Sequence, residues 1–173
     1  MKRVNGGLGD ANSVFVNSGD VYVAGTFENN GVLPGYWKNG KFTLLNYSSG
    51  SGLSIYVAVN NVLIAGFVTT APVLWTNGTI ADLSDPSSAD PNATKHSFNA
   101  VTSVSGAGNH IRIAGYKTTS VTGDYTHKHD IMVPILFTDG AAVTLDNGDS
   151  QATLGLFNKT GGRALSVFVV TPA

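Results

Sequence analysis

The side chains best suited to chemistry lie in His127-Lys128-His129-Asp130, with Asp124 and Tyr125 just upstream. In an extended segment alternate residues share a face, so His127 and His129 point together. Two imidazoles with Asp124 or Asp130 are the ligand types of a zinc-like ion that keeps an open position. A hydrolase or lyase using His127, His129 and a nearby carboxylate is the catalytic reading of this segment. Asp124, Tyr125, His127, His129 and Asp130 are therefore the candidate ligand-binding residues. A His-x-His pair has little specificity alone, and residues 118–130 are mostly polar. A solvated loop that holds two histidines explains the same residues more plainly, so neither a metal nor a cofactor is assigned.

The remaining chemistry-bearing residues form no catalytic signature. Serine, histidine and aspartate are present, but no Gly-x-Ser-x-Gly elbow marks a nucleophile. Asp146-Asn147-Gly148-Asp149 lacks the spacing of a twelve-residue calcium loop. Gly6-Gly7-Leu8-Gly9 neither follows a strand nor opens a helix, so it is no phosphate cradle. The chain has no cysteine, which removes disulfides, thiolate metal sites and a cysteine nucleophile. No catalytic residue is nominated, and the balance leans away from an enzyme.

What must position these residues is a repeat. Asp20-Val21-Tyr22-Val23-Ala24-Gly25 is followed by Tyr36-Trp37-Lys38-Asn39-Gly40. Val62-Leu63-Ile64-Ala65-Gly66 is followed by Leu74-Trp75-Thr76-Asn77-Gly78, and Ile111-Arg112-Ile113-Ala114-Gly115 by Leu136-Phe137-Thr138-Asp139-Gly140. Ser13 to Gly25 and Ser54 to Gly66 are the same distance apart, 12 residues. Each unit holds β-branched and aromatic runs bounded by turn residues, which predicts antiparallel strands. Asn39-Gly40 and Asn77-Gly78 predict two-residue hairpins, because both central residues of a type I′ turn need positive φ. The units span about residues 11–46, 52–85 and 98–146, in one domain over 1–173. Residues 164–170 form an orphan first strand, since Ala164-Leu165-Ser166-Val167-Phe168-Val169 nearly repeats Ala11-Asn12-Ser13-Val14-Phe15-Val16. Residues 117–130 stand out as an insertion that the first two units lack.

Both parities of the strands are apolar, as in Val21-Tyr22-Val23-Ala24, which predicts sheets covered on both faces. Trp37, Trp75 and Phe137 occupy one place in the three units. Positional equivalence favours a repeated core residue between sheets over a platform for sugar rings. Tyr22 and Tyr36 belong to the same interior.

The pattern Ala-x-Ser-Val-x-Val, Asp-Val-Tyr-Val-Ala-Gly and Tyr-Trp-Lys-Asn-Gly-Lys resembles the repeats of a bacterial β-propeller-like family. Residues 11–45 carry the resemblance closely, 52–83 well and 100–145 loosely. It implies an all-β fold of four-stranded blades arranged radially, with no activity attached. Propellers usually close with about four to eight blades, and three units plus one strand fall short. Pairing of two chains into a ring is the first expectation, and a closed threefold β-trefoil or β-prism is the alternative.

A homodimer or higher oligomer is thus the expected partner, with a glycan, small molecule or protein as further ligands. The function expected is a non-enzymatic binding or interaction module. Ten basic residues against eleven acidic ones, with no basic run, argue against nucleic acid and an anionic membrane surface. Met1-Lys2-Arg3 is followed by no apolar stretch, and no run approaches a transmembrane helix in length. A soluble chain is expected, its compartment unknown.

Overall fold

The computed structural model describes residues 8–28, 30–58, 60–83, 98–107, 110–122, 128–138 and 141–144. Among these residues twelve strands form three separate four-stranded antiparallel sheets, each a meander in chain order. The first sheet comprises β1 (Ala11–Asn17), β2 (Asp20–Glu28), β3 (Val32–Lys38) and β4 (Lys41–Leu44). The second comprises β5 (Gly50–Ala58), β6 (Asn61–Val68), β7 (Ala71–Thr76) and β8 (Thr79–Asp82). The third comprises β9 (Phe98–Ala107), β10 (His110–Thr122), β11 (Lys128–Thr138) and β12 (Ala141–Thr144). The protein is all-β, and the sheets are not closed into a barrel.

The hairpins form where the turn residues place them. Ser18-Gly19, Asn39-Gly40 and Asn77-Gly78 all have positive φ at both positions, with 50° and 83° at Asn39 and Gly40. Each first strand also has a device that the alternation conceals. Pairing shifts between Ala11 and Ser13, between Gly52 and Ser54, and between Val101 and Ser103. One residue is therefore extra at the same place in each strand, a β-bulge repeated three times, and β9 has a second shift between Phe98 and Ala100. The glycine opposite the bulge must be a glycine. A Cβ on Gly25 would run into the Asp10 carbonyl and one on Gly66 into the Ser51 carbonyl. Trp37 and Trp75 close the other side at 3.1 and 3.0 Å. Thus Ala-Gly followed by Trp is one steric unit: a carbonyl of the bulged strand, a bare backbone and an indole.

The sheets stack face on face in chain order. β5 lies across β1, β2 and β3, and β9 lies across β5, β6 and β7. We call the face of each sheet that meets the preceding one its first face. Between the first two sheets, Ile55, Val57, Ile64 and Trp75 of the second sheet's first face bury against Tyr22, Ala24 and Leu45. Leu63, Ala65, Leu74 and Leu83, on the opposite face, then bury against Val101, Val104, Ile113 and Ile135 of the third. Polar links accompany the apolar ones: Ile55 donates its N–H to Ser13 Oγ at 3.3 Å, and Val104 to Ser54 Oγ at 3.0 Å. Asn12, the bulged residue of β1, donates its amide to Ser51 Oγ and the Gly52 carbonyl. The serine after each of the first two bulges so joins one first strand to the next.

Two expectations need correction. The segment 117–130 is not a loop throughout: β10 runs on to Thr122 and β11 begins at Lys128, paired from Lys117↔Val133 to Thr122↔Lys128. Threonine and valine at 118–122 have the β propensity that a polarity-based reading overlooks. Coverage of both faces holds for the second sheet and fails for the first, whose first face has no preceding sheet among the described residues.

Candidate functional site

Of the five candidate ligand residues, His129 and Asp130 lie on β11, where their backbones pair with Val121 and Ser120. Asp124, Tyr125 and His127 lie outside the described residues, as does the orphan strand 164–170. Among the described residues no group of three His, Asp or Glu could hold a metal ion. No helix there is long and apolar enough to cross a membrane.

One polar constellation is repeated, and sequence reasoning missed it. The turn asparagine of the third hairpin reaches across the sheet to lock the first. Asn39 Oδ1 accepts the Val21 N–H at 2.9 Å, and its amide donates to Asp20 Oδ1 at 2.7 Å. Asn77 does the same with the Val62 N–H and Asn61 Oδ1, both at 2.9 Å. In the first sheet Lys38 adds an ion pair to Asp20 at 2.8 Å, and its Nζ lies 5.2 Å from the centre of the Tyr22 ring. The Lys38 ammonium and the Asn39 amide hold the Asp20 carboxyl below its ordinary pKa of 3.8. The bond to Asp20, then that to Tyr22, raises Lys38. Both charges are open to solvent, so the pair is a turn fastener and no reaction centre.

The unexplained surface is the first face of the first sheet. Val14 and Val16 are 64% and 62% exposed, whereas their counterparts Ile55 and Val57 are 3% and 5% exposed. Val21 and Leu44 are also exposed. Beside them the Phe42 ring stands 5.2 Å from Phe27 and 5.0 Å from Trp37, centre to centre. Phe42 covers Gly35, where a Cβ would strike its ring. In the second sheet Val73 takes the place of Gly35 and Ile80 that of Phe42, by the register β6–β7–β8. Aromatic rings and valines therefore line an open groove of about 710 Å³, with Leu8 and Asp10 at its edge.

Trp75 is the buried inter-sheet residue expected from its position, at 1% exposure. Trp37, at the same position, is only half-buried. Tyr22 is buried and Tyr36 packs against the same cluster. His110 opens β10 in an exposed position. The signal for the open face was present in the sequence as Val14, Val16, Val21 and Trp37, but the equivalent residues Ile55, Val57, Val62 and Trp75 pack in the core in the next unit. Comparison with protein families, curated proteins and solved structures returns no match.

Proposed function

We infer that the chain is a non-catalytic interaction module built of propeller-type blades, and that the open first face of its first sheet receives a protein partner. The observation that supports this best is the contrast at equivalent positions: Val14 and Val16 lie in solvent while Ile55 and Val57 are core. Large apolar patches on soluble proteins mark interaction surfaces. Radial stacking of blades is favoured by the way β1, β5 and β9 adjoin while each sheet lies across the next. A closed trefoil is less favoured because it contains a barrel, and a β-prism because its sheets would meet at their edges, whereas here β5 lies across β1, β2 and β3. A glycan is a poorer occupant, because valines surround the rings where a sugar needs polar groups beside an aromatic face.

An interaction face and a core face differ in what a charge does to each. In dilute solution, Val14→Asp should change stability by no more than about 0.5 kcal/mol, the range of ordinary surface substitutions. Ile55→Asp should leave the chain unfolded, since it buries an unpaired carboxylate. Equal losses at the two positions would make Val14 part of the chain's own core and end the interaction reading.

A further inference from the structure

The geometry points to a specific occupant for the open face: the same face of a second copy, docked about a two-fold axis. This rests on the interaction reading above and adds the partner and the mode. Three observations lead to it.

First, the face continues an interface the chain already makes twice. Val14, Val23 and Trp37 hold the register positions of Ile55, Ile64 and Trp75, which sit in the core between the first two sheets. Apolar side chains in this arrangement bury well against a second sheet.

Second, this face is not shaped for the surface that covers it elsewhere in the chain. Inside the molecule a first face meets the second face of the preceding sheet. Here Gly35 and Phe42 replace Val73 and Ile80, so a ring lies where a flat aliphatic surface would be. The second face of the third sheet, the counterpart that a head-to-tail ring would use, carries Arg112 where Tyr22 and Leu63 stand and Ser105 where Phe15 and Tyr56 stand, so it lacks the apolar surface that receives a first face elsewhere. The second faces of the first two sheets are occupied by the sheets that follow them. Among the described residues, the face left for a copy to offer is the same one.

Third, the face suits pairing with itself. By alternation along β1, β2, β3 and β4 it presents Val14, Val16, Val23, Trp37 and Phe42, and the one carboxylate on the groove, Asp10, lies at its edge. An isologous contact sets one patch against its own copy, residue i against residue j, so a charged patch would repel itself and an uncharged apolar one does not. The groove beside the Phe27–Phe42–Trp37 rings gives each copy a recess for the valines of the other.

The test is a charge swap on one exposed residue. The unaltered chain should have twice its 17.9 kDa mass by light scattering at micromolar concentration. Val16→Asp and Val16→Lys should each weaken the dimer at least tenfold. Mixed in equal amounts, the two variants should recover a dimer that contains one of each, because one patch then carries a negative charge and the other a positive one. Near-ultraviolet circular dichroism checks that each variant keeps its fold. If Val16→Asp fails that check, Val21→Asp and Val21→Lys make the same comparison, since Val21 pairs with Val16 and is also exposed. A monomeric unaltered chain, or a dimer indifferent to these charges, would overturn the proposal. So would a mixture that stays monomeric, which would mean that the face docks on a different surface. Each of those outcomes leaves the Val14 and Ile55 comparison standing as the separate test of the interaction face.

Discussion

At the scale of single residues, the asparagine clamps explain why turn residues recur so strictly. Asn39 and Asn77 each adopt positive φ, accept one backbone N–H and donate to one side chain across the sheet. Alanine at either position keeps none of the side-chain bonds and adds strain at φ 50°. Asn39→Ala and Asn77→Ala should each lower stability by about 1–2 kcal/mol, read from the shift in urea midpoint at constant slope. A shift of only a few tenths would mean that water replaces both bonds. Asp20→Asn should be nearly neutral at pH 7, since Asn61 fills that role in the second sheet. The two differ in acid. The folded-state pKa of Asp20 is depressed, so its contribution is complete above the unfolded value of about 3.9 and fades as pH falls through the folded one. For Lys38 the folded value is raised, so its share holds below about 10.4 and is lost as pH rises through that higher value. Below pH 4 the unaltered chain should thus lose its small advantage over Asp20→Asn, and salt should shrink that advantage at neutral pH. An advantage that persists unchanged at pH 2 would remove the ion pair from the account.

At the scale of strands and turns, the bulge and its glycine set the shape of each sheet. A Cβ on Gly66 would strike the Ser51 carbonyl and stand 3.0 Å from the Trp75 ring, so a methyl group there must displace a strand. Gly78, with φ 85°, has open space where its Cβ would lie. Gly78→Ala should therefore cost only the left-handed backbone strain, about 1–2 kcal/mol. Gly66→Ala should cost clearly more, and equal denaturation midpoints for the two would show that the bulge yields easily. Thr69 is the opposite case, a β-branched residue at φ 54° in the loop between β6 and β7. The first sheet has Asn30 at φ 55° in the corresponding loop. Thr69→Asn should raise the melting temperature, by relief of roughly 0.5–1 kcal/mol, because asparagine tolerates this conformation. An unchanged or lower melting temperature would show that the threonine is held there without strain.

At the scale of the whole molecule, one side chain type has two fates. Trp75 is enclosed between two sheets, and Trp75→Ala should cost about 3–5 kcal/mol as a large cavity in a core. Trp37 has a sheet on one side and the open groove on the other, so Trp37→Ala should cost less than half as much in dilute solution. Thermal or chemical unfolding of the two variants decides the matter. Losses of the same size would place both indoles in equivalent interiors.

The sequence by itself determined the all-β class, the three meanders and the positive-φ hairpins, because these depend on local properties. Strand propensity, and a turn that only asparagine and glycine adopt cheaply, act within a few residues. It also marked Trp75 and Tyr22 as interior. It did not reveal the bulges, since Asn12, Leu53 and Thr102 have no common chemistry and are defined only by pairing to the next strand. Nor did it reveal the clamps of Asn39 and Asn77, whose partners lie 19 and 16 residues away in the chain. Hydrophobicity could not separate Val14 from Ile55, because a face is core or surface according to what packs on it. That difference, 64% against 3% exposure, was decided by stacking order alone: a sheet lies over Ile55, and none of the described sheets lies over Val14.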